Sequence, residues 1–250
     1  MDSKEIDQPI LPTVVGFEIP DQSLKYACET DRKSFISKVY TILWFQLLIT
    51  SIFIGICNQY KIVSDFMISN RGILISYISI ACLFVLTMLL FCFGNTIKKK
   101  PYNWLYVITY TILMTYLLGI VGVVYSTKML LLGGLITIGI FSGLTIYAWQ
   151  TKIDYTIYGN YLIVSLIGLL FFGFISLFIN IPFLNIIYSS IGSIIFSFYI
   201  VYDTQLIVGG KNRYINYTTN DFVIASISLY LDIINLFLFI MDIINGRIEI

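Results

Sequence analysis

The feature that most constrains this chain is a run of 48 residues, 155–202, that contains no Asp, Glu, Lys or Arg. A helix needs about 20 apolar residues to cross a hydrocarbon core, so this run is too long for one span and holds two. Asn180, Pro182 and Asn185 mark the break between them, because proline lacks the amide proton that would continue a helical ladder. The rest of the chain repeats the pattern. Between Arg32 and Asp203 the only acids are Asp65 and Asp154, and uncharged stretches of span length separate the few basic residues. With 58% hydrophobic and 12% charged residues, against about 25% charged in soluble domains, the composition excludes a water-soluble globular protein. The net charge of +1 gives no basis for a nucleic-acid partner; the first partner is the bilayer.

Inside hydrocarbon a segment must satisfy its own backbone amides, which favours helices. The apolar runs predict an all-α polytopic membrane bundle of seven transmembrane helices at roughly 39–57, 73–94, 103–125, 129–149, 160–180, 184–208 and 222–244. The last of them either crosses fully or re-enters without crossing. Residues 1–35 are polar, carry Pro9, Pro12 and Pro20, and read as a flexible cytosolic tail ahead of a transmembrane domain at 36–250. The first long apolar run begins near Val39, so the first helix reads as an uncleaved anchor.

Basic residues set the orientation, since loops rich in them stay cytosolic. Lys25, Arg32, Lys33 and Lys38 precede the first helix, Lys98, Lys99 and Lys100 follow the second, Lys152 follows the fourth, and Lys211 and Arg213 follow the sixth. The opposite side has Lys61, Arg71 and Lys128. The N-terminus is therefore expected in the cytosol. Asn216, Tyr217 and Thr218 form an N-x-T acceptor in a loop that this topology also places in the cytosol.

The four cysteines, Cys28, Cys57, Cys82 and Cys92, show no metal-ligand spacing, and a thiol in an apolar run packs as a small hydrophobe. With no histidine in the chain, proton chemistry near neutral pH falls mainly to carboxylates. Gly119, Gly122, Gly133, Gly134, Gly139 and Gly143 dot the third and fourth helices, where small residues let backbones approach closely. A glycine-lined substrate path is the other reading of that series.

Two acids stand well inside apolar segments, Asp203 in the sixth predicted helix and Asp232 in the seventh. An ionised carboxylate at the centre of a membrane helix costs at least ~2.5 kcal/mol on insertion scales, so such groups face protein or water. At ~1.5 Å rise per residue, Asp203 lies ~9 Å inside one helix end and Asp232 ~16 Å inside the next. Both then sit at broadly similar depth, and a short connection makes the two helices antiparallel neighbours. Ala225, Ser228, Asp232, Asn235, Phe239 and Asp242 recur at spacings of three and four, hence on one helix face. Gly192, Phe196, Tyr199 and Asp203 form a comparable stripe, with Thr204 and Gln205 adding polar groups. Asp242 reads as interfacial.

No lysine or arginine lies inside a predicted helix core to neutralise these acids. Two close carboxylates in a low-dielectric site cannot comfortably both ionise, so they titrate as a coupled unit. The expectation is a shared-proton latch between the sixth and seventh helices, loosened when rising pH removes the proton. The site residues are Asp203 and Asp232, with Ser228, Asn235, Tyr199 and Thr204 as its polar surround. The alternative is that each aspartate, protonated, merely hydrogen-bonds a neighbouring helix, a contribution of ~0.6–2 kcal/mol in membranes.

Three segments carry a resemblance. AWQTKIDYTIYG at 148–159, FYIVYDTQLIVGGKNRY at 198–214 and ISLYLDIINLFLFI at 227–240 resemble the transmembrane Bax inhibitor motif proteins, most closely the lifeguard branch and its Golgi anti-apoptotic members. The resemblance implies seven helices around a central one and residence in Golgi or endoplasmic reticulum membranes. It also implies a pH-sensitive calcium leak that lowers stored calcium and inhibits apoptosis, with Asp203 and Asp232 as the gating carboxylates. Calcium is then the permeant ion, held weakly in transit by those two residues, and membrane proteins of cell-death pathways are candidate partners. No resident cofactor and no enzymatic activity are implied. Some members latch an aspartate with an arginine in the second helix; none stands between Gly72 and Ile97, so that device is not expected here. Met114 and Lys128 stand where other members carry an acid.

Calcium takes 6–8 oxygen ligands, so two carboxylates with nearby carbonyls and water suit transit rather than storage. Three other functions compete with this reading. An intramembrane aspartyl protease would need GxGD where this chain has LYLD, and a PAL motif, which is absent. A non-conducting interaction protein would use the aspartates structurally. A proton-coupled transporter lacks a visible inverted repeat.

Overall fold

The computed structural model describes residue 24 and residues 29–98, 101–176, 178, 181–209 and 217–246. Every apolar run that needed internal hydrogen bonding is helical. In chain order the helices are α1 Glu29–Gln59, α2 Lys61–Ile68, α3 Asn70–Ile97, α4 Tyr102–Val124, α5 Thr127–Gln150, α6 Gly159–Ser176, α7 Pro182–Val208 and α8 Phe222–Gly246, with a 3-10 turn at Tyr155–Tyr158 ahead of α6. Seven of them are long and apolar enough to span a bilayer; α2 is not. The sixth and seventh spans expected from the sequence are therefore α7 and α8.

Helix α2 falls where a loop was expected. Ser69 turns the chain from α2 into α3: its hydroxyl donates to the Phe66 carbonyl at 2.6 Å and accepts from the Gly72 amide at 3.2 Å. A side chain at Gly72 would run into the carbonyls of Phe66 and Met67, so the turn closes only because that position is bare. Pro182 opens α7, where a missing amide proton costs nothing.

The bundle is organised around α8. Of its apolar window 67% is buried, against 6% for the α6 span and 11% for α5, and α8 packs against α7, α1, α5 and α4. Large side chains such as Trp44, Ile62, Phe84, Leu135 and Phe171 point outward, which a hydrocarbon solvent permits and water does not. Helix α8 runs the full depth of the bundle. Beside its first turn, the Lys98 ammonium at the end of α3 pairs with Asp221 at 2.7 Å. Near its last turn, Asp242 accepts from the Tyr125 hydroxyl at 3.1 Å, just past the opposite end of α4. The re-entrant alternative is therefore set aside.

Side chains that looked incidental in the sequence tie the spans together. Thr50 of α1 donates to, or accepts from, Tyr230 of α8 at 2.8 Å and Thr115 of α4 at 3.0 Å, and Gln46 donates to Thr111 at 3.0 Å. Asn58 donates to the carbonyls of Gly122 and Tyr125, both at 2.9 Å, and accepts from the Thr127 hydroxyl at 2.6 Å. Buried Gln205 accepts from the Tyr155 amide at 2.7 Å and donates to the Ile153 carbonyl at 2.9 Å, fixing the α5 to α6 connection on α7.

The glycine series divides. Side chains at Gly119 and Gly122 would meet α1, and one at Gly133 would meet Met241 of α8, whereas Gly134, Gly139 and Gly143 have nothing within 4 Å. Close packing therefore holds for the first three only. Cys57 is buried and Cys82 and Cys92 are exposed, all three as free thiols; Cys28 lies outside the described residues. So does most of the expected tail. Within it, Leu24 is buried and donates its amide to the Tyr217 carbonyl at 2.9 Å, and α1 already begins at Glu29, well ahead of the expected start at 39.

Candidate carboxylate site between the central helices

Helices α7 and α8 make the most extensive helix pairing in the molecule. Their close approach depends on Gly192, whose bare backbone faces the Phe239 ring; a Cβ there would lie 2.6 Å from ring carbons. Phe239 is in turn framed by Tyr188 and Phe196, with ring centroids at 5.5 and 5.8 Å. This packing fixes the register that sets Asp203 opposite Asp232.

Both aspartates are buried, 6% and 5% exposed, and their carboxyl groups lie near each other at the α7 and α8 interface. They line one cavity of about 430 Å³ together with Tyr199, Ser228 and Asn235. Asp232 Oδ2 has no hydroxyl or amide donor against it among the described residues. Two carboxylate oxygens can bond only through a proton carried by one of them. The cavity lining includes no lysine or arginine.

The polar surround is placed unevenly. Tyr199, Ser228 and Asn235 face the cavity, but Asn235 also donates to its own helix, to the Leu231 carbonyl at 2.8 Å. Thr204 does not face the cavity: one residue along a helix turns the side chain by about 100°, and its hydroxyl is buried toward Tyr40 of α1 instead. Asp242 sits outside this cavity, at the far end of α8.

Tyr217, visible in the sequence only as the middle of an N-x-T triplet, reaches the site from the α7 to α8 connection. Its phenol lies near Ser228 and Asp203. Burial, with Asp203 adding to it, holds that phenol well above its ordinary value, so it stays a neutral donor. Thr218 bonds Asp221 through both its amide and its hydroxyl, each at 2.7 Å; Asn216 lies outside the described residues.

Comparison with known proteins places the whole membrane region in one group. A family profile described as "Inhibitor of apoptosis-promoting Bax1" matches residues 32–248. The chain belongs to the Bax inhibitor-1 family. Among its relatives, human Protein lifeguard 3 is 31% identical over 220 residues, which is 86% of this chain and 70% of that protein. Mouse Protein lifeguard 3 is 29% identical over the same shares. Bax inhibitor 1 of Schizosaccharomyces pombe is 33% identical over 221 residues, 86% of this chain and 77% of that protein. All three motif segments lie inside the matched region, as do both aspartates.

Proposed function

We propose that this membrane protein is a pH-sensitive calcium leak channel of Golgi or endoplasmic reticulum membranes, with a cytosolic N-terminus, that lowers stored calcium and inhibits apoptosis. It acts as a conduit and not by catalysis. The observation that carries the reading is the buried pair itself: one carboxyl from each central helix, facing the other across a shared cavity with no cationic side chain in its lining. Membership in a family described by inhibition of apoptosis-promoting Bax1 supports the role in cell death.

The mechanism follows from charge. With one proton between them, Asp203 and Asp232 attract, and α7 stays drawn against α8. Loss of that proton leaves two anions in a low-dielectric site, whose repulsion is far larger than in water. The pair separates, and its oxygens become ligands for a passing cation. Hard carboxylate oxygens, with the Ser228 hydroxyl and water, suit calcium, and the small ligand number keeps binding weak enough for release.

Calcium flux into dye-loaded proteoliposomes, measured across pH, tests this. The wild type is expected to leak more as pH rises, and the Asp203→Asn, Asp232→Asn double variant to lose that dependence. A double variant with an unchanged pH profile would refute the gate.

A further inference from the structure

A second cavity lies beyond the carboxylate site, toward the end of α8. It holds about 590 Å³ and is lined by Asn185, Ser189, Asp242 and Asn245 among others. The two cavities share Leu170 and Tyr188 in their walls, so they are neighbouring chambers along the α6, α7 and α8 interface. Between them stand the aromatic rings of Tyr188 and Phe239, with centroids 5.5 Å apart. On α8, Asp232, Asn235 and Asp242 share one helix face, with Phe239 between the last two.

We infer that Asp242, with Ser189 and Asn185, forms an outer site for a divalent cation at the far mouth of the conduit whose inner end is the Asp203 and Asp232 pair. The inference rests on the conduit reading above and adds a station to it. Three observations carry it. Asp242 accepts from the Tyr125 hydroxyl at 3.1 Å, which orients a carboxyl without cancelling its charge, and shares the chamber wall with Ser189. The donors around it are hard oxygens: the buried Ser189 hydroxyl and the Asn185 carbonyl, which accepts from Ser176 at 3.0 Å and keeps a second lone pair. At the inner chamber, Asp232 Oδ2 is buried without a donor and lines the space that the outer chamber adjoins. A partly hydrated cation fits this ligand set, because oxygen ligands and water together complete the shell that calcium needs. Its function is to concentrate cations at the entrance before they pass the aromatic constriction, as carboxylates at pore mouths do.

The test combines flux with binding. A unit charge about 4 Å from a divalent ion in water raises its local concentration by roughly thirtyfold at low salt. Calcium flux in proteoliposomes at low ionic strength should fall by that factor in Asp242→Asn, recover in Asp242→Glu, and converge with wild type at high salt. Independently, Mn2+ added to protein labelled at isoleucine methyl groups should broaden the Ile186 resonance, since Ile186 lines the outer chamber, and should not do so in Asp242→Asn. Flux unchanged in Asp242→Asn, or Mn2+ broadening that survives Asp242→Asn, overturns the outer site. Broadening confined to wild type, in a protein that leaks under no condition, leaves the outer site standing and overturns the conduit.

Discussion

Replacing Gly192 by alanine tests the packing that brings the two aspartates together. The added Cβ would stand 2.6 Å from the Phe239 ring, about an ångström inside comfortable carbon contact. The ring cannot swing aside freely, because Tyr188 meets it nearly edge-on at 73° and Phe196 lies against it. The helices must therefore part or a ring must leave its rotamer, at a cost of about 1–3 kcal/mol. A loss of 2 kcal/mol lowers the folded-to-unfolded ratio by roughly thirtyfold. Reversible unfolding in mixed micelles reads that loss directly. Phe239→Leu in the same background should recover much of it, so the two substitutions should couple rather than add. A Gly192→Ala protein within about 0.5 kcal/mol of wild type, or strict additivity with Phe239→Leu, would refute the helix register on which the carboxylate pair depends.

Other outcomes follow from contacts elsewhere. Thr50→Val and Tyr230→Phe should each destabilise by about 1 kcal/mol and show a coupling energy of roughly 0.6–1.7 kcal/mol in a double-mutant cycle, the range for interhelical hydrogen bonds in membranes; zero coupling would break the assigned bond. Asn58→Ala removes three bonds near the α4 to α5 turn and should raise amide exchange at residues 122–130 without affecting the other end of the bundle. Gln205→Leu should do the same for residues 151–158, where the Tyr155 amide and Ile153 carbonyl lose their partner. Lys98→Met should cost about 1–3 kcal/mol, because the Asp221 side chain is only 8% exposed and its Oδ1 is left without a partner.

The sequence exposed the parts of this molecule that conflict with their surroundings. Asp203 and Asp232 stand out because a carboxylate in an apolar run is costly, and the three- and four-residue spacing along α8 placed Asp232, Asn235 and Phe239 on one buried or cavity-facing side. Full spans were legible for the same reason, since an uncharged run leaves the backbone little choice. Threonine and glutamine gave no comparable signal. Thr50, Thr111, Thr115 and Gln46 cost little in a membrane helix, so nothing marked them as the polar contact of α1, α4 and α8. Glycine spacing could not say which positions face a neighbour, and Gly134, Gly139 and Gly143 proved to face open space. Thr204 follows Asp203 directly in the chain, but adjacent residues on a helix point about 100° apart. Tyr217 was hidden because a loop has no period from which to read direction.

The proposed gate requires Asp203 and Asp232 to hold one proton between them. Infrared spectroscopy of the protein in lipid, titrated upward from neutral pH, observes that proton through the carbonyl stretch of a protonated carboxyl group. The expected result is one such band that disappears as pH rises, in step with the onset of calcium flux, and that is absent from the Asp203→Asn, Asp232→Asn double variant. A band that persists unchanged in the double variant, or flux that opens while the band remains, would contradict it.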